Sequence, residues 1–232
     1  VGRVFVITGT GKGIGREMAL HYLAQGHLVA GCSRSEPSVV DANYTHFQLD
    51  VADEKAVVAM VQTVRKSHGG IDVLLNNAGI AAMNHLATTP MQTVQKVFAT
   101  NVFGSFVFLR EVAKVMMRAK VGRIVNFSTV AVPLRLEGES VYGASKAAIE
   151  HLTRVAAREL GSSGITVNAV GPAPVDTDLV RSVPAEKIDA LIARQAVRRL
   201  GTFADVIHVV DFFIDPRSSF VTGQLLYLGG AG

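Results

Sequence analysis

The sequence contains a single cysteine, Cys32, so no internal disulfide can form; the apolar run around it marks a small buried hydrophobe rather than a reactive thiol. Charge is sparse, at 18% of 232 residues against 49% hydrophobic, which excludes a disordered chain and leaves ample material for the core of one large α/β domain. Long hydrophobic runs are also missing. Gly, Asn or charge interrupts each apolar stretch before the roughly 18 residues that a membrane span needs. The opening VGRVFVITGT lacks a signal-peptide cleavage region and leads directly into a glycine-rich turn, so the expected location is cytoplasmic. The seven histidines show no metal-ligand spacing, and no metal is expected. A net charge of +4 raises nucleic-acid binding, but the basic residues (Arg110, Lys114, Arg118, Lys120; Arg194, Arg198, Arg199) cluster on helical stretches without interleaved aromatics, as on solvated faces.

What is present is a regular alternation. Strand-like runs occur at 4–9, 27–33, 44–51, 71–77, 122–129, 164–171 and 223–230. Helical patterns fall between them: Ile14 to Gln25, a helix capped by Asp53 and stopped by Gly69-Gly70, Met91 to Met117, Tyr142 to Leu160 ended by Gly161, and 204–214. The pattern predicts an α/β, Rossmann-type doubly wound fold, a mostly parallel seven-stranded sheet with helices on both faces and ligands at the carboxyl ends of the strands. One domain over 1–232 is expected. Two segments break the rhythm. Residues 34–45 leave space for only a turn or two of helix in the crossover. Residues 172–203 begin with prolines at a strand's carboxyl end and become amphipathic, as a substrate lid would.

VFVITGTGKGIG sets Gly9, Gly11, Gly13, Ile14 and Gly15 between the first strand and the first helix. Small residues there let the backbone approach a pyrophosphate, which the helix N-terminus favours. Where an acid would bind the adenosine ribose diol stands Ser33, followed by Arg34, with Lys12 inside the glycine turn. A hydroxyl and two cations suit a 2′-phosphate, so NADP(H) is expected over NAD(H).

TGTGKGIG (8–15), LDV (49–51), NNAG (76–79), Asn101 in TNVFG, Tyr142-Gly-Ala-Ser-Lys146 and the VTGQ…GG ending occur in order over essentially the whole chain. In these the sequence resembles the short-chain dehydrogenase/reductase family, and its tail RRLGTFADV…FVTGQLLYLGG resembles the 3-oxoacyl-[acyl-carrier-protein] reductase-like branch. The resemblance implies that Asn101, Tyr142 and Lys146 are catalytic. It also implies that Asp50 and Val51 flank the adenine, and that Asn76, Asn77, Ala78, Gly79, Pro172, Val175 and Thr177 line the cofactor together with Tyr142 and Lys146. Tyr142 and Lys146 are four apart and share a helix face. The lysine ammonium and an oxidised nicotinamide would lower a phenol pKa that is otherwise near 10. The family serine stands thirteen residues before the tyrosine, and that count reaches Thr129. If the strand stays regular Ser128 faces the other way; a bulge would exchange them. Ala173 replaces a family glycine and should narrow the pocket.

The expected activity is NADPH-dependent reduction of a ketone, a 3-oxoacyl thioester or similar apolar ketone, in a pocket drawn from Ile80, Met83, Val132, Pro133, Leu134, Pro174, Leu179 and Val183. Sugar, polyol or steroid dehydrogenation and a non-catalytic NADP(H)-binding scaffold are the alternatives. An acyl carrier protein could meet Lys120 and Arg123, although Ser163 stands where carrier-dependent members have a basic residue. The resemblance also implies a homo-oligomer, a tetramer or dimer.

Overall fold

A computed structural model describes residues 2–181 and 183–230, and the side chains of Asp178 and Leu179 lie outside that description, so the expected pocket role of Leu179 does too. Strands β1 (Val4–Thr8), β2 (Leu28–Ser33), β3 (Tyr44–Gln48), β4 (Val73–Asn76), β5 (Gly122–Phe127), β6 (Ile165–Gly171) and β7 (Leu225–Tyr227) form one sheet in the order β3-β2-β1-β4-β5-β6-β7. All six pairings are parallel. The chain winds outward from β1 in one direction and from β4 in the other, so the switch point lies between them, where a ligand crevice opens at the strands' carboxyl ends.

The central strands β1, β4, β5 and β6 are buried along their whole length, as a sheet covered on both faces requires. One face packs on α2 (Glu54–His68), α4 (Ser105–Ala119) and α6 (Ser140–Leu160), around Phe108, Met116 and Ile124. The other face packs on α1 (Gly13–Ala24) and α9 (Phe203–Ile214), around Phe5, Tyr22 and Phe213. Helix α2 starts and stops as its sequence indicates: Asp53 accepts from the Ala56 N–H, and Gly69 closes the helix in the left-handed conformation.

Three features differ from expectation. No helical turn forms between β2 and β3; buried Val39 alone anchors that crossover to the core. The 91–117 helix is broken into α3 (Met91–Phe98), a π-helical turn (Ala99–Gly104) and α4. The final strand is only three residues long. Helix α6 ends at Leu160 with Gly161 as its C-cap, as expected, but Gly161 keeps a helical φ of −57°, and the left-handed turn comes after a 3₁₀ turn at Gly164, whose φ is +73°. Gly161→Ala should therefore stabilise the fold by about 0.4–1 kcal/mol, since it only restricts the unfolded chain. Gly164→Ala should destabilise by more than that, because its Cβ would press on the Lys120 carbonyl oxygen. Urea denaturation of the two variants tests this pair of opposite signs.

Beyond β6 the chain makes α5-like short pieces. In chain order α5 (Ala131–Leu134) follows β5, whereas α7 (Asp178–Arg181) and α8 (Ala185–Ala193) follow β6. A parallel bridge between Val175 and Gly201 joins the two ends of this segment. Among the described residues no helix is long and apolar enough to cross a membrane. Arg110 pairs with Glu54 and Glu111, Lys114 with Glu111, and Arg199 with Asp205, as expected of solvated helix faces.

Candidate active site

At the carboxyl end of β1 the chain turns at Gly9, in the left-handed region with φ +78°, and enters α1 at Gly13. A Cβ on Gly15 would press into the Gly9 carbonyl, so glycine is what allows the turn to sit directly on the helix. The first turn of α1 has no side-chain cap and no acid, which leaves its N–H groups directed at the crevice. Ile14 packs its side chain on the core and can offer a ligand only its backbone.

Across the switch point, Asn77 donates through Nδ2 to the Thr8 carbonyl (2.9 Å), and the Ala78 N–H donates to the Thr8 hydroxyl (2.9 Å). These bonds fasten the end of β4 to the end of β1. Asn77, expected to line a cofactor, is thus also a clamp between strands. The buried Asn76 side chain faces away, toward Ser105 and Asn126.

At the far end, Ser33 donates to the Ser35 carbonyl (3.0 Å) and lies against Gly11, where a Cβ would come within 3.1 Å of its oxygen. Arg34 is exposed beside it, with its carbonyl held by Gln48. A chain of polar contacts, not anticipated from the sequence, backs this corner: Thr10 to the Tyr44 hydroxyl (2.8 Å), and Tyr44 to His46 Nδ1 (3.0 Å). The exposed Asp50 carboxylate caps the Ala52 N–H, while Val51 is buried against Gly104. Thr177 reaches over Gly13, and Val175 is buried in the core, so only its backbone can face the crevice. Pro172 is half-buried and its carbonyl accepts from the Val130 N–H. The crevice therefore fits a dinucleotide: a glycine cradle under an open helix N-terminus, with a hydroxyl and a cation at one end.

At the other end lie the candidate reactive groups. Helix α6 carries Tyr142 and Lys146 on one face, and Lys146 Nζ donates to the Phe127 carbonyl (2.8 Å) at the end of β5. Asn101 is fully buried in the π turn rather than facing solvent. Its Oδ1 accepts from the Ile80 N–H (2.8 Å), and its Nδ2 donates to the Ile80 carbonyl (2.9 Å) and to Ser145 (3.0 Å). Ser145 donates in turn to the Tyr142 carbonyl (2.7 Å). The π turn supplies the extra residue that swings Asn101 inward, a frequent use of such turns. A Cβ on Gly79 would sit 3.2 Å from Lys146 Nζ and 3.4 Å from Asn101 Oδ1, so Gly79, Lys146 and Asn101 meet at one point.

The two neighbouring hydroxyls separate as strand parity requires. The Ser128 N–H continues the pairing to β6 through the Val170 carbonyl (2.8 Å), so there is no bulge. Its hydroxyl turns to the buried Glu150 carboxylate, which also accepts from the Tyr227 hydroxyl (2.7 Å). Thr129 is on the opposite side, where its hydroxyl accepts from the Ala131 N–H (3.2 Å) and acts on the Tyr142 phenol to lower its pKa. Ser128→Ala should then cost about 1–3 kcal/mol of stability, because Glu150 loses a partner in a buried site. Thr129→Val should leave stability near wild type and act on turnover. Parallel urea melts and initial rates separate the two effects.

Burial pushes the Tyr142 phenol up to about 12; the Thr129 hydrogen bond offsets part of this and the Glu139 charge adds to it. Desolvation is the largest of these effects, and the positive charge of an oxidised nicotinamide would act against it. Burial also pushes Lys146 down to about 8 from the usual 10.5. The depressed ammonium lowers stability fully below about pH 8, and that penalty is relieved as pH rises toward 10.5.

One further expectation is corrected. Arg123 is buried, donating to Gly122 and Pro216, and with Lys120 it lies at the amino end of β5, the opposite edge of the sheet from Tyr142. It cannot serve as a docking residue. The Ala173 methyl packs in a small cluster with Val130, Tyr227 and Leu228, and Ala173 also lines a cleft of about 510 Å³. Glu139 was not anticipated from the sequence. It stands one helical turn before Tyr142 and lines a cleft of about 620 Å³ with His85, Val132, Leu136 and Gly143. An acid at that spacing was the available signal.

The family profile described as Enoyl-(Acyl carrier protein) reductase matches residues 9–230. The 3-oxoacyl-[acyl-carrier-protein] reductase of Staphylococcus aureus is 33% identical over 235 residues, covering 97% of this chain and 96% of that protein. A solved structure of ElxO with NADP bound superposes with a TM-score of 0.91 at 30% identity, covering 99% of this chain and 98% of that one. The crystal structure of levodione reductase gives 0.92 at 29% identity, covering 98% and 96%. Motifs, sheet order, site geometry and these likenesses agree that the chain belongs to the short-chain dehydrogenase/reductase family of oxidoreductases.

Proposed function

We propose that the protein reduces a ketone to a secondary alcohol with NADPH, Tyr142 delivering the proton. The observation that carries this is the meeting of Tyr142, Lys146, Thr129 and Asn101 beside Gly79 at the end of a dinucleotide-shaped crevice. Bound nicotinamide supplies the hydride. Thr129 holds the substrate oxygen by its hydroxyl, and Tyr142 gives that oxygen a proton as negative charge grows on it. Lys146 fixes the strand end through Phe127 and offers its ammonium to the cofactor ribose. Asn101 fastens Ile80 and Ser145, and so the pocket floor and α6, in one register. Gly9, Gly11, Gly13 and Gly15 admit the pyrophosphate, while Ser33, Arg34 and Lys12 select the 2′-phosphate.

A 3-oxoacyl thioester is the leading substrate class, supported by the relatives and by the apolar side chains of Ile80, Met83, Val132 and Leu134. A hydroxylated ketone or polyol is the second reading, favoured by one observation, the Glu139 carboxyl among them. The chain forms one domain with 172–203 as its lid. Exposed Phe103, Phe106 and Met117 along the π turn and α4 support a homo-oligomer. Purified protein mixed with NADPH or NADH and a panel of 3-oxoacyl thioesters, diketones, sugars and steroids tests the reading. Oxidation of NADPH by at least one carbonyl is expected. No oxidation with any of them refutes the reductase, and preference for NADH refutes the role of Ser33, Arg34 and Lys12.

A further inference from the structure

The turn that leaves β2 has no helix to hold it, and edge strand β3 holds it instead. Backbone pairing between the two strands runs as far as the Leu49 N–H, which donates to the Ser33 carbonyl (2.9 Å). Beyond that point two side chains of β3 continue it. Gln48 Nε2 donates to the Arg34 carbonyl (3.1 Å), and His46 Nε2 lies 3.0 Å from the Ser35 carbonyl. Tyr44, His46 and Gln48 alternate along the strand and so share one face, while Phe47 packs on the core from the other. Three successive carbonyls, of Ser33, Arg34 and Ser35, are thus taken up by groups of one strand.

The contacts assign the His46 ring one tautomer. A carbonyl oxygen only accepts, so Nε2 carries the proton, and Nδ1 accepts from the Tyr44 hydroxyl (3.0 Å). With the Tyr44 proton given to the ring, the buried Thr10 hydroxyl donates to the Tyr44 oxygen (2.8 Å). Burial raises the pKa of the Tyr44 phenol, which keeps that proton in place. Gly31 leaves space for the contact, since a Cβ there would press on the Tyr44 hydroxyl and come within 2.6 Å of the Thr10 oxygen. The chain therefore ties the glycine turn, through Thr10, to the 33–35 turn. The two turns also meet directly: a Cβ on Gly11 would come within 2.9 Å of Ser35 Oγ and 3.1 Å of Ser33 Oγ. Ser33 donates to the same Ser35 carbonyl (3.0 Å), and its oxygen lies 3.5 Å from His46 Nε2.

We infer that His46, with Gln48, is a positioning residue for cofactor selection: it fixes the Ser35 carbonyl, and so holds the 33–35 turn in the shape that receives the 2′-phosphate of NADP(H). Both ring nitrogens are engaged within the fold, so His46 acts through Ser33, Arg34 and Ser35 rather than by touching the cofactor. Exposed Arg34 then extends from a backbone held on both sides. A turn left to order itself on binding would weaken affinity by the cost of that ordering. The inference rests on the reading that Ser33, Arg34 and Lys12 select the 2′-phosphate. NADH lacks that group, so its binding does not depend on the shape of the turn. A general loosening of β3 would instead weaken both cofactors alike.

The test is a fluorescence titration of NADPH and of NADH, without substrate, into wild type and three variants. Wild type should bind NADPH more tightly than NADH. His46→Phe keeps a ring on the strand but no donor, and should raise the NADPH dissociation constant about 2- to 12-fold, the equivalent of one net hydrogen bond. Its NADH dissociation constant should not change, which also guards against a folding artefact. His46→Gln, whose amide can donate to the Ser35 carbonyl, should recover most of the loss. The His46→Phe/Gln48→Leu double variant should lose about 5- to 150-fold in NADPH affinity, two such bonds together. An unchanged NADPH-to-NADH ratio in His46→Phe and the double variant, an equal loss for both cofactors, or no recovery in His46→Gln overturns the inference while leaving the selection by Ser33, Arg34 and Lys12 intact. A wild type without preference for NADPH refutes both.

Discussion

Tyr142→Phe lowers ketone reduction by about 10²–10⁴-fold, the range a positioned general acid contributes. The phenylalanine ring keeps the packing at the start of α6, and the glycine turn proposed to hold the pyrophosphate is untouched, so the loss appears in kcat while NADPH still quenches or shifts its own fluorescence on binding. The wild-type pH profile carries a second signature. Burial holds the phenol near 12, so the donor stays protonated through neutral and mildly alkaline pH. Reduction should show no decline attributable to Tyr142 in that range. Oxidation of the matching alcohol needs the phenolate and should rise about tenfold per pH unit over the same interval. Retained turnover in the phenylalanine variant would remove Tyr142 from the chemistry. A reduction rate that halves near neutrality would place another group in the donor's role.

Gly15→Ala is the second large effect, and it acts at the opposite end of the crevice. The new Cβ would press on the Gly9 carbonyl, while Asn77 Nδ2, already committed to Thr8, closes the other side. Backbone must move, and overpacking of this kind costs about 1–3 kcal/mol. Because the displaced atoms form the turn proposed to admit the pyrophosphate, the expected result is a five- to 150-fold rise in the NADPH dissociation constant, roughly the same energy in affinity. Titration of the intrinsic cofactor fluorescence measures it. Unchanged affinity would mean that the pyrophosphate is held elsewhere.

How much was legible in advance depended on the range of the interactions concerned. Alternating β-branched runs and helical stripes are local, so the doubly wound fold could be read directly, as could the Asp53 cap and the Gly69 stop. Tyr142 and Lys146 share a face because they lie four apart on one helix, a consequence of helix geometry alone. Ser128 and Thr129 were separable by strand parity for the same reason. The end of α6 at Gly161 was legible too; which glycine takes the left-handed conformation was not, and it is Gly164.

The remaining features depend on partners distant in sequence. The π turn around Asn101 is held by Ile80 and Ser145, residues 21 and 44 positions away. The Ser128 hydroxyl has its place because Glu150 and Tyr227 arrive from α6 and β7. The direction of the Tyr142 shift follows from desolvation, which only the closed packing creates. Arg123 looked like a surface cation until the end of β5 was seen to be covered. From residue order alone came the fold, through alternating strand and helix patterns, and the family, through motifs in order along the chain. Strand parity separated Ser128 from Thr129, because neighbouring side chains on one strand point to opposite faces. Tertiary contact decided the proton affinities, the inward turn of Asn101 and the hold of His46 on the Ser35 carbonyl, because burial and hydrogen-bond partners are properties of elements brought together.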